Sequence, residues 1–138
     1  MRVEPYLYFQ GRCEEALAFY RGAIGADTAV VARFADIPGA QVPPGAETKV
    51  AHAVIRVGDT TVLASDGQGG APAAFNGFSL SLSATSDAEA ERLFAALAHG
   101  GEVRLPMMAT PFASRMGIVA DRFGAPWLVI AQTQPATA

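Results

Sequence analysis

The chain has 138 residues and a mass of 14.3 kDa, with 51% hydrophobic and 17% charged residues. A chain of this size removes about two-thirds of its unfolded surface from water, so we expect a single domain over residues 1–138. The composition excludes a disordered chain, and a net charge of −3 without clustered basic residues argues against a nucleic-acid partner. Because it has neither a run of about twenty apolar residues nor a signal-peptide pattern, we expect a cytoplasmic protein without a membrane partner.

The first half of the chain predicts the order strand, helix, strand, strand, strand. Cys13–Ile24 has apolar residues at helical spacing, and Gly25 follows where a helix commonly ends in a glycine. Ala35–Thr48, with three prolines and two glycines, predicts a long loop. The predicted strands are Val3–Phe9, Asp27–Phe34, Val50–Val57 and Thr60–Ser65, the last two joined by a hairpin turn at Gly58-Asp59.

After a Gly- and Pro-rich loop at Asp66–Gly77, the same order of elements begins again. Ser86 and Glu89 have the spacing of a capping box, so a helix should start there and end at Gly100-Gly101. Pro106–Ala113 is predicted as a loop. The predicted strands of this half are Phe78–Ala84, Glu102–Leu105, Arg115–Ala120 and Trp127–Ala131.

The repeated order predicts the fold class. Neither half alone could bury both faces of its own sheet, so the halves should associate. The sequence therefore predicts an α+β fold of two tandem βαβββ modules, about residues 1–66 and 77–133. Together they should form a curved mixed sheet of about eight strands with the helices on its outer face.

Several short strings carry a resemblance to a known family. They are Pro5-Tyr6-Leu7 with Phe9 and Gly11, Glu15-Ala16, Phe19-Tyr20, Gly25-Ala26, His52-Ala53, Gly58-Asp59, Ser65-Asp66 and Asp121–Trp127. In this order, and with two such modules, the chain resembles the vicinal oxygen chelate superfamily of glyoxalases, bleomycin resistance proteins and dioxygenases. It is most similar to the PhnB-like branch, often labelled demethylubiquinone methyltransferase-like. The resemblance implies a homodimer with an apolar cleft for a small organic ligand.

Members of the superfamily typically hold a divalent metal with four His or Glu side chains. By the resemblance, the corresponding positions here are Pro5, Ala64, Phe78 and Leu128. None of these side chains offers nitrogen, oxygen or thiolate to a metal. We therefore expect no metal cofactor at the usual site, and the chemistry stays undetermined.

His52 is the polar residue of most interest for function. It shares a predicted strand face with Val54 and Arg56, opposite an apolar face. In one interpretation it is a base, or a donor to a bound anion, with Arg56 or Asp66 nearby. In the other, it is a structural strand histidine whose ring is satisfied by a neighbouring strand or by solvent. Asp66 itself, at the end of a strand, has the character of a turn-stabilising residue.

Two further candidates lie in the second half. Phe112 and Arg115 flank the Pro-containing segment that the resemblance places at the mouth of the cleft, and binding residues often collect on such loops. Asp121 is predicted as a hairpin residue. The single cysteine, Cys13, lacks a surrounding His/Asn constellation and is interpreted as a packing residue rather than a nucleophile.

Three functional hypotheses follow, and whether the protein is an enzyme stays open. The first is binding of a small organic molecule in the cleft, and the second is sequestration of a toxic compound without turnover. The third is a metal-dependent lyase or isomerase with a shifted site at His52 and Asp66. Methyl transfer from S-adenosylmethionine is not expected, because the Gly67-Gly69-Gly70 cluster leads into a loop rather than from a strand into a helix.

Overall fold

The computed structural model describes residues 1–67 and 72–132 and divides into two compact units, Met1–Ala73 and Ala74–Ala138. Each unit has the predicted order of one strand, one helix and three strands. In the first unit these are β1 (Tyr6–Tyr8), α1 (Cys13–Ile24), β2 (Asp27–Arg33), β3 (Val50–Val57) and β4 (Thr60–Ser65). In the second they are β5 (Leu80–Ala84), α2 (Asp87–Ala98), β6 (Glu102–Thr110), β7 (Ala113–Ala120) and β8 (Pro126–Ala131).

The described strands form two four-stranded mixed sheets, with the orders β1-β4-β3-β2 and β5-β8-β7-β6. In each sheet the first strand of the unit runs parallel to the last, and the remaining pairs are antiparallel. The α+β fold of two tandem βαβββ modules is therefore confirmed. Its eight strands are hydrogen-bonded as two ladders of four.

The helix α1 packs its apolar stripe against one face of the first sheet. Cys13, Ala16, Leu17 and Tyr20 are buried on this helix, and the Tyr20 ring lies 6.2 Å from the ring of Phe9. Because side chains alternate along a strand, the sheet residues that pack against α1 are separated from those of the opposite face. The buried set includes Leu7, Ala53, Ile55 and Ala64.

The helix α2 starts at a cap close to the predicted one. Ser86 Oγ accepts a hydrogen bond from the Glu89 amide at 3.1 Å, and Glu89 Oε1 accepts one from the Thr85 amide at 3.0 Å. The carboxylate thus reaches one residue further back than a capping box requires. Among the described residues, neither helix is long and apolar enough to cross a membrane.

The predicted loop at Pro106–Ala113 is wrong, because β6 continues through Pro106 to Thr110. This strand lies at the edge of its sheet, where a residue without an amide hydrogen need not interrupt the ladder. The pairing with β7 is irregular between Leu105 and Met108, which accommodates the proline. Only a two-residue turn, Pro111-Phe112, separates β6 from β7.

Asp66 joins three segments of the first unit through its buried carboxylate. Oδ1 accepts a hydrogen bond from the Cys13 amide at 2.7 Å, and Oδ2 accepts one from the Val50 amide at 2.8 Å. The Asp66 amide donates to the Val50 carbonyl at 2.8 Å. Since the N-cap residue Arg12 provides no side-chain cap, Asp66 supplies a distant carboxylate that complements the start of α1.

Asp121 has a related role in the second unit. Its Oδ1 accepts hydrogen bonds from the Phe123 amide at 2.9 Å and the Ala125 amide at 3.0 Å, while Oδ2 accepts one from Trp127 Nε1 at 2.9 Å. These bonds shape the turn between β7 and β8, so the prediction of a hairpin residue is confirmed.

Replacing Asp66 tests how much the first unit depends on this carboxylate. We expect Asp66→Ala to lower the free energy of unfolding by about 3 kcal/mol, because two buried amides lose a charged acceptor. Urea denaturation followed by circular dichroism measures this loss. The matched control is Asp59→Ala in the exposed β3–β4 turn, which should change stability by less than about 0.5 kcal/mol. Equal effects of the two substitutions would contradict the role of Asp66.

Candidate functional site

The face of the first sheet that does not pack against α1 carries a linked tyrosine and histidine. Tyr6 Oη lies 2.7 Å from His52 Nδ1, a hydrogen bond between strands that are not neighbours in the sheet. The ring of Tyr8 stacks on that of Tyr6 with centroids 5.1 Å apart and planes inclined by 22°. Leu63 pairs with Tyr6 on one side and with Val54 on the other, so both belong to this face. We call Tyr6, Tyr8, His52, Val54 and Leu63 the Tyr–His face.

The Tyr–His face is accessible but mostly apolar. Tyr8 is 50% exposed, and the other four residues are half-buried. The hydrogen bond to Tyr6 fixes His52 through Nδ1, and Nε2 has no hydrogen-bond partner among the described residues. An imidazole held in this way offers a ligand one oriented nitrogen, as a donor or an acceptor according to its tautomer.

The phenol of Tyr6 stays protonated at neutral pH. Partial burial, with smaller contributions from Tyr8 and Cys13, raises the pKa of Tyr6 above its ordinary value of 10.0. A neutral hydroxyl can donate its proton to the lone pair of His52 Nδ1, or accept from that nitrogen if it is protonated. Sequence reasoning missed this contact, although Tyr6 lies in one of the strings that carry the family resemblance.

Neither predicted neighbour of His52 contacts it. Asp66 is only 3% exposed, and its carboxylate oxygens accept from the amides of Cys13 and Val50. Its role is structural, but it joins distant segments instead of stabilising the local turn that was predicted. Arg56 is exposed on the same strand, four residues or about 13 Å further along. Its guanidinium forms no ion pair among the described residues and can meet the far end of an elongated ligand.

The two candidates of the second unit lie in different surroundings. Phe112 is 56% exposed in the turn between β6 and β7. Arg115 pairs with Ala131 across the sheet, and its Nε lies 3.3 Å from Glu91 Oε1 of α2. This ion pair directs Arg115 toward the helix. The irregular segment that these residues were predicted to flank is largely strand, as described above.

The residues at the usual metal positions do not fit a metal. Ala64 is fully buried with Leu7 on the side of α1, so the β4 residue on the open face is Leu63, one place before the predicted position. Neither alanine nor leucine can ligate, and neither can Pro5, Phe78 or Leu128. Within residues 1–67 and 72–132, no three His, Cys, Asp or Glu side chains group as a possible metal site. The shifted metal site at His52 and Asp66 also lacks support, because both carboxylate oxygens of Asp66 accept hydrogen bonds from backbone amides.

Cys13 is the first residue of α1 and is completely buried. Burial raises the pKa of its thiol to about 12, and the negative charges of Asp66 and Glu14 add to the effect. The thiol therefore stays protonated at neutral pH and is not an activated nucleophile. This geometry agrees with its interpretation as a packing residue.

Comparison with known proteins identifies first the fold of the chain and then its family. The fold is shared with a lactoylglutathione lyase from Agrobacterium tumefaciens at a TM-score of 0.60 and 19% identity, over 96% of this chain and 94% of that one. This likeness shows a shared fold. Residues 1–130 match the model of the 3-demethylubiquinone-9 3-methyltransferase family, and the chain belongs to that family.

Individual relatives span nearly the whole chain. Protein YjdN of Escherichia coli (strain K12) is 31% identical over 148 residues, which cover 98% of this chain and 99% of YjdN. The crystal structure of protein PA1353 from Pseudomonas aeruginosa gives a TM-score of 0.84 with 38% identity, over 96% of this chain and 98% of that one. The PhnB protein from Bacillus cereus gives 0.78 with 24% identity, over 95% and 99%. The predicted PhnB-like resemblance is therefore confirmed.

The burial of Cys13 predicts that its thiol does not react in the folded protein. At pH 8 we expect Ellman's reagent to label Cys13 only as fast as the first unit opens. The buried thiol is neither accessible to the reagent nor ionised. The same protein in 6 M urea should react at once and serves as the reference. Rapid stoichiometric labelling of the native protein would contradict this prediction.

The contact between Tyr6 and His52 predicts that substitutions of Tyr6 and Tyr8, two residues apart on β1, change the free energy of unfolding by different amounts. Tyr6→Phe should lower the free energy of unfolding by about 1 kcal/mol at pH 7, because one hydrogen bond is lost. Tyr8→Phe, on the same strand and face, is the control and should change it by less than about 0.5 kcal/mol.

The same pair of variants has a pH signature. Because the folded-state pKa of Tyr6 is raised, its contribution is present below pH 10 and is lost as the pH rises through the folded value. The stability difference between the wild-type protein and Tyr6→Phe should therefore shrink above pH 10. A difference that grows with pH in urea titrations would contradict this assignment.

Proposed function

We propose that the protein binds a small planar organic molecule on the Tyr–His face, with a polar atom of the ligand bonded to His52 Nε2. The observation that carries this proposal is the 2.7 Å contact between Tyr6 Oη and His52 Nδ1. It fixes one imidazole on an otherwise apolar, accessible surface. A few oriented polar groups among apolar and aromatic side chains are the usual composition of a small-molecule site.

The aromatic residues favour a planar ligand. Tyr6 and Tyr8 already stack, and Tyr8 is 50% exposed, so its ring can receive a further ring by offset stacking. Leu63 and Val54 continue the apolar surface across the sheet. A ligand ring on this surface would bring a substituent to His52 without displacing the hydrogen bond from Tyr6.

Arg56 favours an acidic group at the far end of such a ligand. Its exposed guanidinium has no ion pair among the described residues, and it shares a strand with His52. Because the two residues are about 13 Å apart along β3, a ligand that reaches both must be elongated. We therefore favour aromatic carboxylates over small 2-oxo acids.

Sequestration without turnover is the second candidate, and one observation favours it. The described residues provide no group of metal-binding side chains, and the thiol of Cys13 is buried and protonated. His52 can therefore hold a ligand or move a proton, but it has neither a nucleophile nor a metal donor set beside it. The homodimer and the cytoplasmic location stay predictions from the sequence.

The methyltransferase in the family's name is not part of the proposal. A nucleotide-type cofactor site needs a glycine-rich turn from a parallel strand into a helix. In the first unit, the strand β1 enters α1 through Gln10-Gly11-Arg12, which has one glycine. Of the Gly67-Gly69-Gly70 cluster, Gly69 and Gly70 lie outside the described residues. Gly67 follows the last strand of its unit.

Binding to the Tyr–His face can be tested with 6-hydroxy-2-naphthoate as a probe, which carries a hydroxyl at one end for His52 and a carboxylate at the other for Arg56. We expect its addition to shift the backbone amide resonances of Tyr6, Tyr8, His52 and Leu63 in ¹H–¹⁵N spectra. His52→Ala should weaken binding about fivefold or more, because the ligand loses a hydrogen bond. Arg56→Ala should weaken the binding of 6-hydroxy-2-naphthoate but leave the binding of 2-naphthol unchanged, since only the carboxylate meets the guanidinium.

The control for both variants is Glu47→Ala on an exposed loop, which should leave the affinity unchanged. Equal affinities of wild type and His52→Ala, or shifts confined to residues away from the Tyr–His face, would overturn the proposal. Spectra of a bound candidate ligand over hours distinguish the two functions, because an enzyme converts the ligand and a sequestering protein returns it intact.

A further inference from the structure

The hydrogen bond between Tyr6 and His52 can hold its proton in two ways, and each gives the second ring nitrogen of His52 the opposite character. If Tyr6 Oη donates to Nδ1 across the 2.7 Å contact, a neutral imidazole keeps its hydrogen on Nε2, which then donates to a ligand. If Nδ1 carries the hydrogen and Tyr6 accepts it, Nε2 is an acceptor. The position of one proton therefore decides which ligand atoms the Tyr–His face can bind.

The distances around the hydroxyl of Tyr6 favour donation to His52. Among the described residues, two acceptors lie near Tyr6 Oη: His52 Nδ1 at 2.7 Å and the Ala51 carbonyl at 3.5 Å. Hydroxyl donors bond most often at about 2.7–2.8 Å, and a contact of 3.5 Å is at the outer limit of a hydrogen bond. If Tyr6 accepted from Nδ1, its own proton would be left with the long contact to the Ala51 carbonyl.

The acid–base chemistry of the two groups favours the same arrangement. An imidazole lone pair is a much stronger base than the oxygen of a neutral phenol, so the nitrogen is the better acceptor of the pair. The phenol has a proton to donate at neutral pH, because partial burial raises the pKa of Tyr6. The hydrogen bond from Tyr6 to Nδ1 therefore joins the better donor to the better acceptor.

We propose that Tyr6 is a positioning residue that holds His52 as the tautomer with its hydrogen on Nε2, so that the Tyr–His face selects ligands with a carbonyl, carboxylate or phenolate oxygen over ligands that offer only a donor there. The ligand preference rests on the proposed function, whereas the tautomer is a property of the free protein. The exposed guanidinium of Arg56 is also a donor. The ligand class is therefore elongated aromatic acids that carry a second acceptor at the end opposite the acid.

The tautomer can be measured in the ligand-free protein from long-range ¹H–¹⁵N correlations of the imidazole rings at pH 8. We expect Nδ1 of His52 to resonate as a nitrogen without hydrogen and Nε2 as one that carries it. In Tyr6→Phe the Nδ1 resonance should move toward that of a mixture of tautomers, because its donor is lost, while Tyr8→Phe should leave it unchanged. His52→Ala distinguishes the signals from those of His99, the second histidine of the chain. A hydrogen on Nδ1 in the wild-type protein, or spectra that Tyr6→Phe does not change, would overturn the proposal.

The ligand preference is tested with 6-acetyl-2-naphthoate and 6-amino-2-naphthoate, which share the ring and the carboxylate but present an acceptor or a donor to His52. The wild-type protein should bind the acetyl compound more tightly. In Tyr6→Phe the ratio of the two affinities should fall about fivefold, because Nε2 is then free to accept from the amine. Arg56→Ala is the control and should weaken both probes while leaving their ratio unchanged.

The outcomes separate this inference from the proposed function. If the probes bind but the wild-type protein prefers the amine, or Tyr6→Phe leaves the affinity ratio unchanged, the inference is wrong and the proposed function stands. If neither probe binds to the Tyr–His face, the proposed function and the ligand preference are both wrong.

Discussion

The carboxylate of Asp66 is the interaction on which the first unit depends. It is buried and bonds to the first amide of α1 and the first amide of β3, so one side chain fixes the relative positions of a helix and a sheet. Because β1 pairs with β4 just before Asp66, the same contact sets where Tyr6 lies relative to His52. Both acceptor atoms are committed to the backbone. A residue that looks available for chemistry in the sequence is therefore structural.

The alternation of side chains along the strands gives the first sheet two faces with different side chains. One face carries small and aliphatic residues such as Ala53 and Ala64, which let α1 approach closely and form the core. The other face carries Tyr6, Tyr8 and His52. The hydrogen-bonded pair of Tyr6 and His52 lies on this face, which does not pack against α1. Burial on one face thus supplies the rigidity that holds the imidazole of His52 in place on the other face.

The two units share a topology but not the residues that organise it. In the first, a distant carboxylate complements the start of the helix, whereas in the second Ser86 does so locally. Asp121 holds a hairpin and the indole of Trp127 rather than a helix. The four positions that the family resemblance assigns to metal ligands, Pro5, Ala64, Phe78 and Leu128, carry apolar residues. Shared topology therefore leaves the chemistry to be decided by individual side chains.

The sequence by itself determined what depends on local spacing. The helix Cys13–Ile24 and the strands Val50–Val57 and Thr60–Ser65 have the bounds that periodicity predicted, because apolar spacing and turn residues act within a few positions. Only the tertiary structure decided what depends on distant partners. The contact of Tyr6 with His52 joins residues 46 positions apart, and β6 passes through Pro106 because it lies at a sheet edge. Neither outcome is encoded in neighbouring residues, since each depends on which strand the fold places alongside.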